Sequence, residues 1–130
     1  MKAVEFKNIS KKFGNFSALN NVSFGIESNS VHCILGENGA GKSTLMKVLF
    51  GMYQPDSGEF LVNDKNVNFS SPHDSIEMKI GMVHQHFMLI ADFTVLENVI
   101  LGNELTNGIK LNFTDIKTGL IEIIDKYNLQ

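Results

Sequence analysis

The residues best suited to chemistry lie together at Gly36-Glu37-Asn38-Gly39-Ala40-Gly41-Lys42-Ser43-Thr44. The spacing is Gly, four residues, then Gly-Lys-Ser, which is the P-loop pattern. A triphosphate needs many hydrogen-bond donors near one point. Gly36, Gly39 and Gly41 remove side chains, so that backbone N–H groups can curl round phosphate oxygens. Lys42 is expected to reach the outer phosphates, Ser43 to offer its hydroxyl to Mg²⁺, and Thr44 to meet phosphate oxygens beside it.

Such a loop needs a strand to deliver it and a helix to receive it. Val31-His32-Cys33-Ile34-Leu35 is a short apolar run and reads as a buried strand. Cys33, the one cysteine, then reads as a small core residue, and no internal disulfide is possible. Lys42 to Phe50 reads as a helix whose N-terminus, with free N–H groups and partial positive charge, faces the same anion.

The other elements follow local signals. Residues 2–9 alternate and read as an edge strand, with Val4 and Phe6 on one face and Ile9 on the other. Lys11 to Asn15 reads as a polar turn containing Phe13, and Leu19 to Ile26 as a second strand. Gln54-Pro55-Asp56-Ser57-Gly58 is a turn signal. Glu59 to Asn63 and Asn66 to Phe69 read as a hairpin joined at Asp64-Lys65. Pro72 opens a short helix through Lys79, and Ile80 to His84 reads as a strand ending at Gln85. Thr94 caps a helix over Val95 to Leu101, ended by Gly102. Asn103 to Asn112 reads as a polar loop. Thr114 caps a last helix with Ile116, Leu120, Ile123, Ile124 and Tyr127 at helical spacing.

The chain has 130 residues, 43% hydrophobic and 19% charged, which suits one modest globular domain. A net charge of −3 argues against a nucleic-acid partner. No apolar run approaches a membrane span, and Met1 to Glu5 is no signal peptide, which is consistent with a cytosolic chain that meets the membrane through a partner. His84 and His86 alternate around Gln85, yet two histidines supply too few ligands for a metal site.

Taken in order, Phe13-Gly14, the P-loop, Pro55-Asp56-Ser57-Gly58-Glu59, Gly81-Met82-Val83-His84-Gln85 and Thr94-Val95-Leu96-Glu97-Asn98-Val99 resemble the nucleotide-binding domain of ATP-binding-cassette (ABC) transporters. The resemblance runs from residue 2 to about residue 125. The segment Met82 to Leu89 is most similar to importers of simple sugars and nucleosides, in which two cassettes are commonly fused. The implied fold is an α/β P-loop NTPase, with an antiparallel β subdomain, part of a parallel sheet core and flanking helices. Residues 1–130 would be the N-terminal part of the first cassette.

The resemblance also implies roles. Phe13 matches the aromatic that stacks on adenine, although as an aromatic in a turn it can equally be read as an anchor. Gln85 matches the glutamine that touches Mg²⁺ and the attacking water. Gly36, Glu37, Asn38, Gly39, Ala40, Gly41, Lys42, Ser43 and Thr44 match the phosphate cradle. ATP and Mg²⁺ are the implied cofactors. The implied partners are transmembrane permease subunits, a substrate-binding protein and a second cassette in a head-to-tail dimer, at the cytoplasmic face of the membrane. Met82, Phe87, Met88, Leu89 and Phe93 read either as core or as a groove for a permease helix.

Three parts of the family pattern have no match here: the Leu-Ser-Gly-Gly-Gln signature, an apolar strand ending in Asp-Glu, and a late histidine. Phosphoryl transfer depends on positioning and charge stabilisation around an activated water. These residues alone are therefore expected to bind ATP and to hydrolyse it barely, and strands without neighbours should leave apolar surface exposed. A soluble, non-transport cassette ATPase remains the alternative. A P-loop kinase or GTPase would need a different second half, and a truncated nucleotide-binding module without activity stays open.

Overall fold

A computed structural model describes residues 1–85, 88–101, 106–107, 110–111 and 113–129. The chain divides into two compact units, Met1–Val83 and His84–Gln130.

The first unit is built on an antiparallel sheet of four strands, β1 (Lys2–Phe13), β2 (Phe16–Glu27), β3 (Ser57–Val62) and β4 (Lys65–Val67), in the order β2-β1-β3-β4. β1 is thus central rather than an edge strand. Alternation reveals one buried face of a strand but not how many neighbours it has. Nor does Ile9 lie opposite Val4 and Phe6: all three are buried in one core. The register of β1 on β2 shifts between Phe6 and Ile9, where Asn8 takes a positive φ of 53°, and Asn21 on β2 does the same at 56°. A bulge of this kind turns the following residues over to the other face.

Phe13 closes β1 instead of sitting in a turn. It pairs with Phe16 across a two-residue loop in which Gly14 takes φ 57°. The β3–β4 turn falls at Asn63-Asp64, both with positive φ, one residue earlier than the spacing indicates. Phe6, Phe24, Phe60 and Phe69 form a chain of aromatic contacts through this core.

Helix α1 (Lys42–Leu49) buries Leu45 and Val48 and packs against β2. It ends in a full Schellman arrangement. Gly51, at φ 75°, donates its N–H to Val48 O at 3.0 Å, and Met52 donates to Lys47 O at 2.8 Å. Helix α2 (Pro72–Glu77) starts at Pro72 as expected and stops two residues short of Lys79. The Asp74 carboxylate reaches back to the N–H groups of Ser70 and Ser71, at 2.6 and 3.1 Å. Hydrogen bonds from Ser70, led by its hydroxyl, hold that carboxyl below the usual aspartate range. Ser75 is fully buried, its hydroxyl set between the carbonyls of Pro72 and Phe50, and so ties α2 to the end of α1.

Lys79 stands at the left-handed position after α2, with φ 61°, donating to Ile76 O at 2.8 Å, while Ile80 donates to Ser75 O at 2.9 Å. This is a glycine position filled by an L-residue. Relief of that strain, less the entropy of an added glycine, is worth about 0.5–1 kcal/mol. Lys79→Gly is therefore expected to raise the urea midpoint. A lower midpoint would show that the lysine side chain holds more than its backbone strain costs.

Two strand readings change. Residues 31–35 and 80–84 run without strand partners among the described residues. Val31, Leu35 and Val83 are almost wholly exposed, and Cys33 lies on the surface, not in the core. Only one side of the first segment is held: His32 stacks on Phe24, with ring centroids 5.5 Å apart, and Ile34 packs against the core. The outward side, with Val31 and Leu35, is an exposed apolar surface.

The second unit holds α3 (Val95–Ile100), the hairpin β5 (Thr106–Asn107) and β6 (Lys110–Leu111), and α4 (Phe113–Tyr127). The loop expected over Asn103 to Asn112 therefore contains a short hairpin, with its other residues outside those described. Gly102, expected to end α3, also lies outside them. Thr94 and Glu97 form a reciprocal cap: Thr94 N–H donates to Glu97 Oε2 at 2.8 Å and Glu97 N–H to Thr94 Oγ1 at 3.3 Å. The hydrogen bond from the Thr94 hydroxyl, followed by that from its N–H, lowers the Glu97 carboxyl below its usual range. Helix α4 begins at Phe113, so Thr114 is inside it and not its cap. It buries Ile116 and packs on α3, while Ile123 and Tyr127 are exposed. Among the described residues no helix is long and apolar enough to cross a membrane.

Candidate functional site

The glycine-rich loop of the first unit is shaped from within by Lys42. Its Nζ donates to the carbonyls of Gly36 and Glu37, both at 2.7 Å, so the ammonium sits inside the curl it closes. Ala40 N–H donates to Glu37 O at 3.2 Å and tightens the turn. Gly39 and Gly41 take φ values of 84° and 90°, which L-residues rarely adopt. The two glycines serve different ends. A Cβ on Gly39 would meet nothing within 4 Å, so its bareness leaves open space. A Cβ on Gly41 would lie 2.3 Å from Ala18 O and 2.9 Å from Leu19 Cδ2, so its bareness lets the start of α1 rest on β2. At Gly36 a Cβ would make only ordinary contact, at 3.4 Å from the Ala40 side chain.

Lys42 is the first residue of α1, and Gly41 O accepts the first helical bond from Leu45 N–H at 2.9 Å. The preceding N–H groups lack helical partners, so the tip presents donors and a partial positive charge. Glu37, Asn38, Ala40 and Ser43 are exposed and Thr44 is half-buried. An ammonium that can exchange two carbonyls for anionic oxygens, bare backbone, a helix tip and a free hydroxyl suit a polyphosphate with its cation. The donor set fits such a group.

Phe13 belongs to the same unit. It is 43% exposed at the tip of the β1–β2 hairpin. Ala18, which meets Gly41, is only two residues beyond Phe16, the strand partner of Phe13. At roughly 3.3 Å per residue, about 7 Å of strand separates the hairpin tip from the start of α1. The loop residues and Phe13 are thus brought together on one frame. Gln85 is exposed and belongs to the second unit, beside the half-buried His84, while His86 and Phe87 lie outside the described residues.

A family model described as ABC transporter matches residues 19–130. The chain belongs to the ABC transporter family. It is 45% identical over 97% of its length to a nucleoside import ATP-binding protein, NupA, of Lactococcus lactis, and covers 25% of that protein. It is 43% identical over 82% of its length to a ribose import ATP-binding protein, RbsA, of Hahella chejuensis, covering 21% of it. A crystal structure of a nucleotide-free ATP-binding cassette from an ABC transporter superposes on 96% of the chain, with TM-score 0.78 and 27% identity, and the chain covers 53% of it. The chain therefore spans about a quarter of the length of these curated relatives. The P-loop NTPase fold class of the ABC cassette holds, although the parallel ladders of its core are not formed among the described residues.

For some residues that shape these units, the sequence does not show what the side chain reaches. Asn98, on α3, has its amide among the carbonyls of Ile90, Phe93 and Thr94 and accepts the Ile90 N–H at 2.8 Å, pinning the second unit's apolar loop. Tyr53 and Asp56 touch the Phe13 hairpin across about 40 residues. Asp56 stands in a turn signal, and a turn signal does not say what its side chain reaches.

Proposed function

We propose that residues 1–130 form the N-terminal part of an ABC ATPase domain that binds Mg-ATP, and that the longer protein couples ATP hydrolysis to the import of a small solute such as a nucleoside or sugar. The observation that carries the reading is the Lys42-centred loop seated through Gly41 on the hairpin that presents Phe13. Gly36 to Thr44 hold the phosphates, with Lys42 on the outer ones. Phe13 stacks on adenine. Ser43, at the start of α1, would offer its hydroxyl to Mg²⁺, which when bound neutralises charge on the phosphates, and the Mg²⁺ role of Gln85 rests on the family resemblance alone. The importer reading draws its support from the names of the relatives.

Permease subunits, a substrate-binding protein and a second, head-to-tail cassette would be its partners, at the cytoplasmic face of the membrane. An apolar hollow lined by Leu89, Ile90, Phe93, Val95, Asn98 and Val99 supports a permease contact. Leu89 and Val95 are both at least 70% exposed there, which favours a groove over core packing.

Titration with Mg-ATP is expected to show saturable uptake, with GTP weaker, and phosphate release is expected to be barely measurable. Absence of saturable uptake by folded protein would remove the reading. Brisk turnover abolished by Lys42→Ala would show that the chain carries more catalytic machinery than its sequence matches.

A further inference from the structure

A ring at the tip of a hairpin can stack well on a base only if its position is fixed, because face-to-face attraction between flat groups depends on offset and angle. Two contacts fix Phe13, and both come from the loop that leaves α1. The Tyr53 ring meets the Phe13 ring edge to face, with centroids 5.2 Å apart and planes at 71°. Tyr53 is itself held: it is half-buried, its N–H donates to Lys47 O at 3.2 Å, and the Lys47 ammonium lies 5.5 Å from its ring centre. The Asp56 carboxylate accepts the Lys12 N–H at 2.6 Å and the Lys11 Nζ at 2.8 Å, and Asp56 N–H donates to Ser10 O at 2.8 Å. Ser10, Lys11 and Lys12, the three residues before Phe13, are thereby stapled to Asp56. That loop continues from the helix whose first residue is Lys42. The ring and the phosphate loop are joined twice, once through Gly41 on Ala18 and once through Tyr53 and Asp56.

We propose that Tyr53 and Asp56 are positioning residues that set the Phe13 ring for the base of a purine nucleotide whose phosphates lie in the Gly36–Thr44 loop. This rests on the reading of Phe13 as the base-stacking residue. Neither side chain needs to touch the nucleotide. Asp56 fixes the backbone leading into Phe13, and Tyr53 fixes the ring.

The test compares two probes, Mg-ATP and magnesium triphosphate without a base, by equilibrium titration. Base stacking on an aromatic contributes roughly a five- to hundredfold gain in affinity. Tyr53→Ala is expected to remove part of it, weakening Mg-ATP about three- to tenfold with triphosphate binding unchanged. Tyr53→Phe keeps the ring edge and is expected to restore affinity, and Asp56→Asn to behave as a milder Tyr53→Ala. In a double-mutant cycle, Tyr53→Ala is expected to lose its effect once Phe13 is alanine. Equal weakening of both probes, or fully additive losses, overturns the inference and leaves the nucleotide site standing. If Phe13→Ala leaves Mg-ATP affinity intact, the stacking role fails and takes the inference with it. If Lys42→Ala leaves both probes bound, the phosphate site itself is wrong. Triphosphate binding by each variant also serves as its folding control.

Discussion

Lys42→Ala is expected to weaken Mg-ATP binding by about 10- to 100-fold while moving the melting temperature little. The size follows from the bond type: a hydrogen bond to a charged group is worth about 1.5–3 kcal/mol, and 1.4 kcal/mol is tenfold in affinity. The small cost to the fold follows from the place. Lys42 Nζ bonds the carbonyls of Gly36 and Glu37, two residues at the surface, so water can replace it when the side chain is cut. Lys42→Arg is not a conservative change here, because a planar fork does not fit between two carbonyls that a compact ammonium bridges at 2.7 Å. Calorimetric titration beside a thermal melt separates the two effects. Wild-type affinity in the alanine variant would end the assignment of this loop to phosphate.

Gly41→Ala is expected to be the most damaging single methyl group in the loop. At φ 90° an L-residue is strained by about 1–2 kcal/mol, and the new Cβ would stand 2.3 Å from the Ala18 carbonyl oxygen. That oxygen is main chain in β2 and cannot step aside as a side-chain tip can. Overpacking adds about 1–3 kcal/mol, so the total is about 2–5 kcal/mol, a large share of the stability of a domain this size. Gly39→Ala provides the control. Its φ of 84° is as unfavourable, but its Cβ would enter open space, so only the backbone term of about 1–2 kcal/mol applies. Thermal melts should rank Gly39→Ala clearly above Gly41→Ala. If the two melt together, α1 does not rest on β2 in solution as described.

The difference between those two glycines shows where sequence reading stops. Both stand in one loop and invite one reading, a backbone bare enough to approach phosphate. Gly39 suits that purpose. Gly41 is also bare because a strand more than twenty residues earlier presses on it, and no spacing rule contains that strand. Asp56 is a similar case: its turn was legible, while its bond to Lys12 N–H, 44 residues away, was not. The bulges at Asn8 and Asn21 follow the same logic. An asparagine in a strand tolerates positive φ but does not announce it, so simple alternation places Ile9 on the wrong face.

What the sequence determined by itself was everything whose cause lies within a few residues: the phosphate-loop pattern, the helix that follows it, the Pro72 start, the Thr94 cap and the β3–β4 hairpin. These rest on φ preferences and on hydrogen bonds between near neighbours in the chain, which the sequence displays locally even though packing stabilises the elements. Tertiary structure alone decided the strand order, with β1 in the middle, the bulged faces, the seating of the loop on Ala18 and the anchoring of Phe13. It also decided that residues 31–35 and 80–84 make no ladder among the described residues. An apolar run is a strand only when another strand offers it N–H and C=O groups, and that offer comes from outside the run.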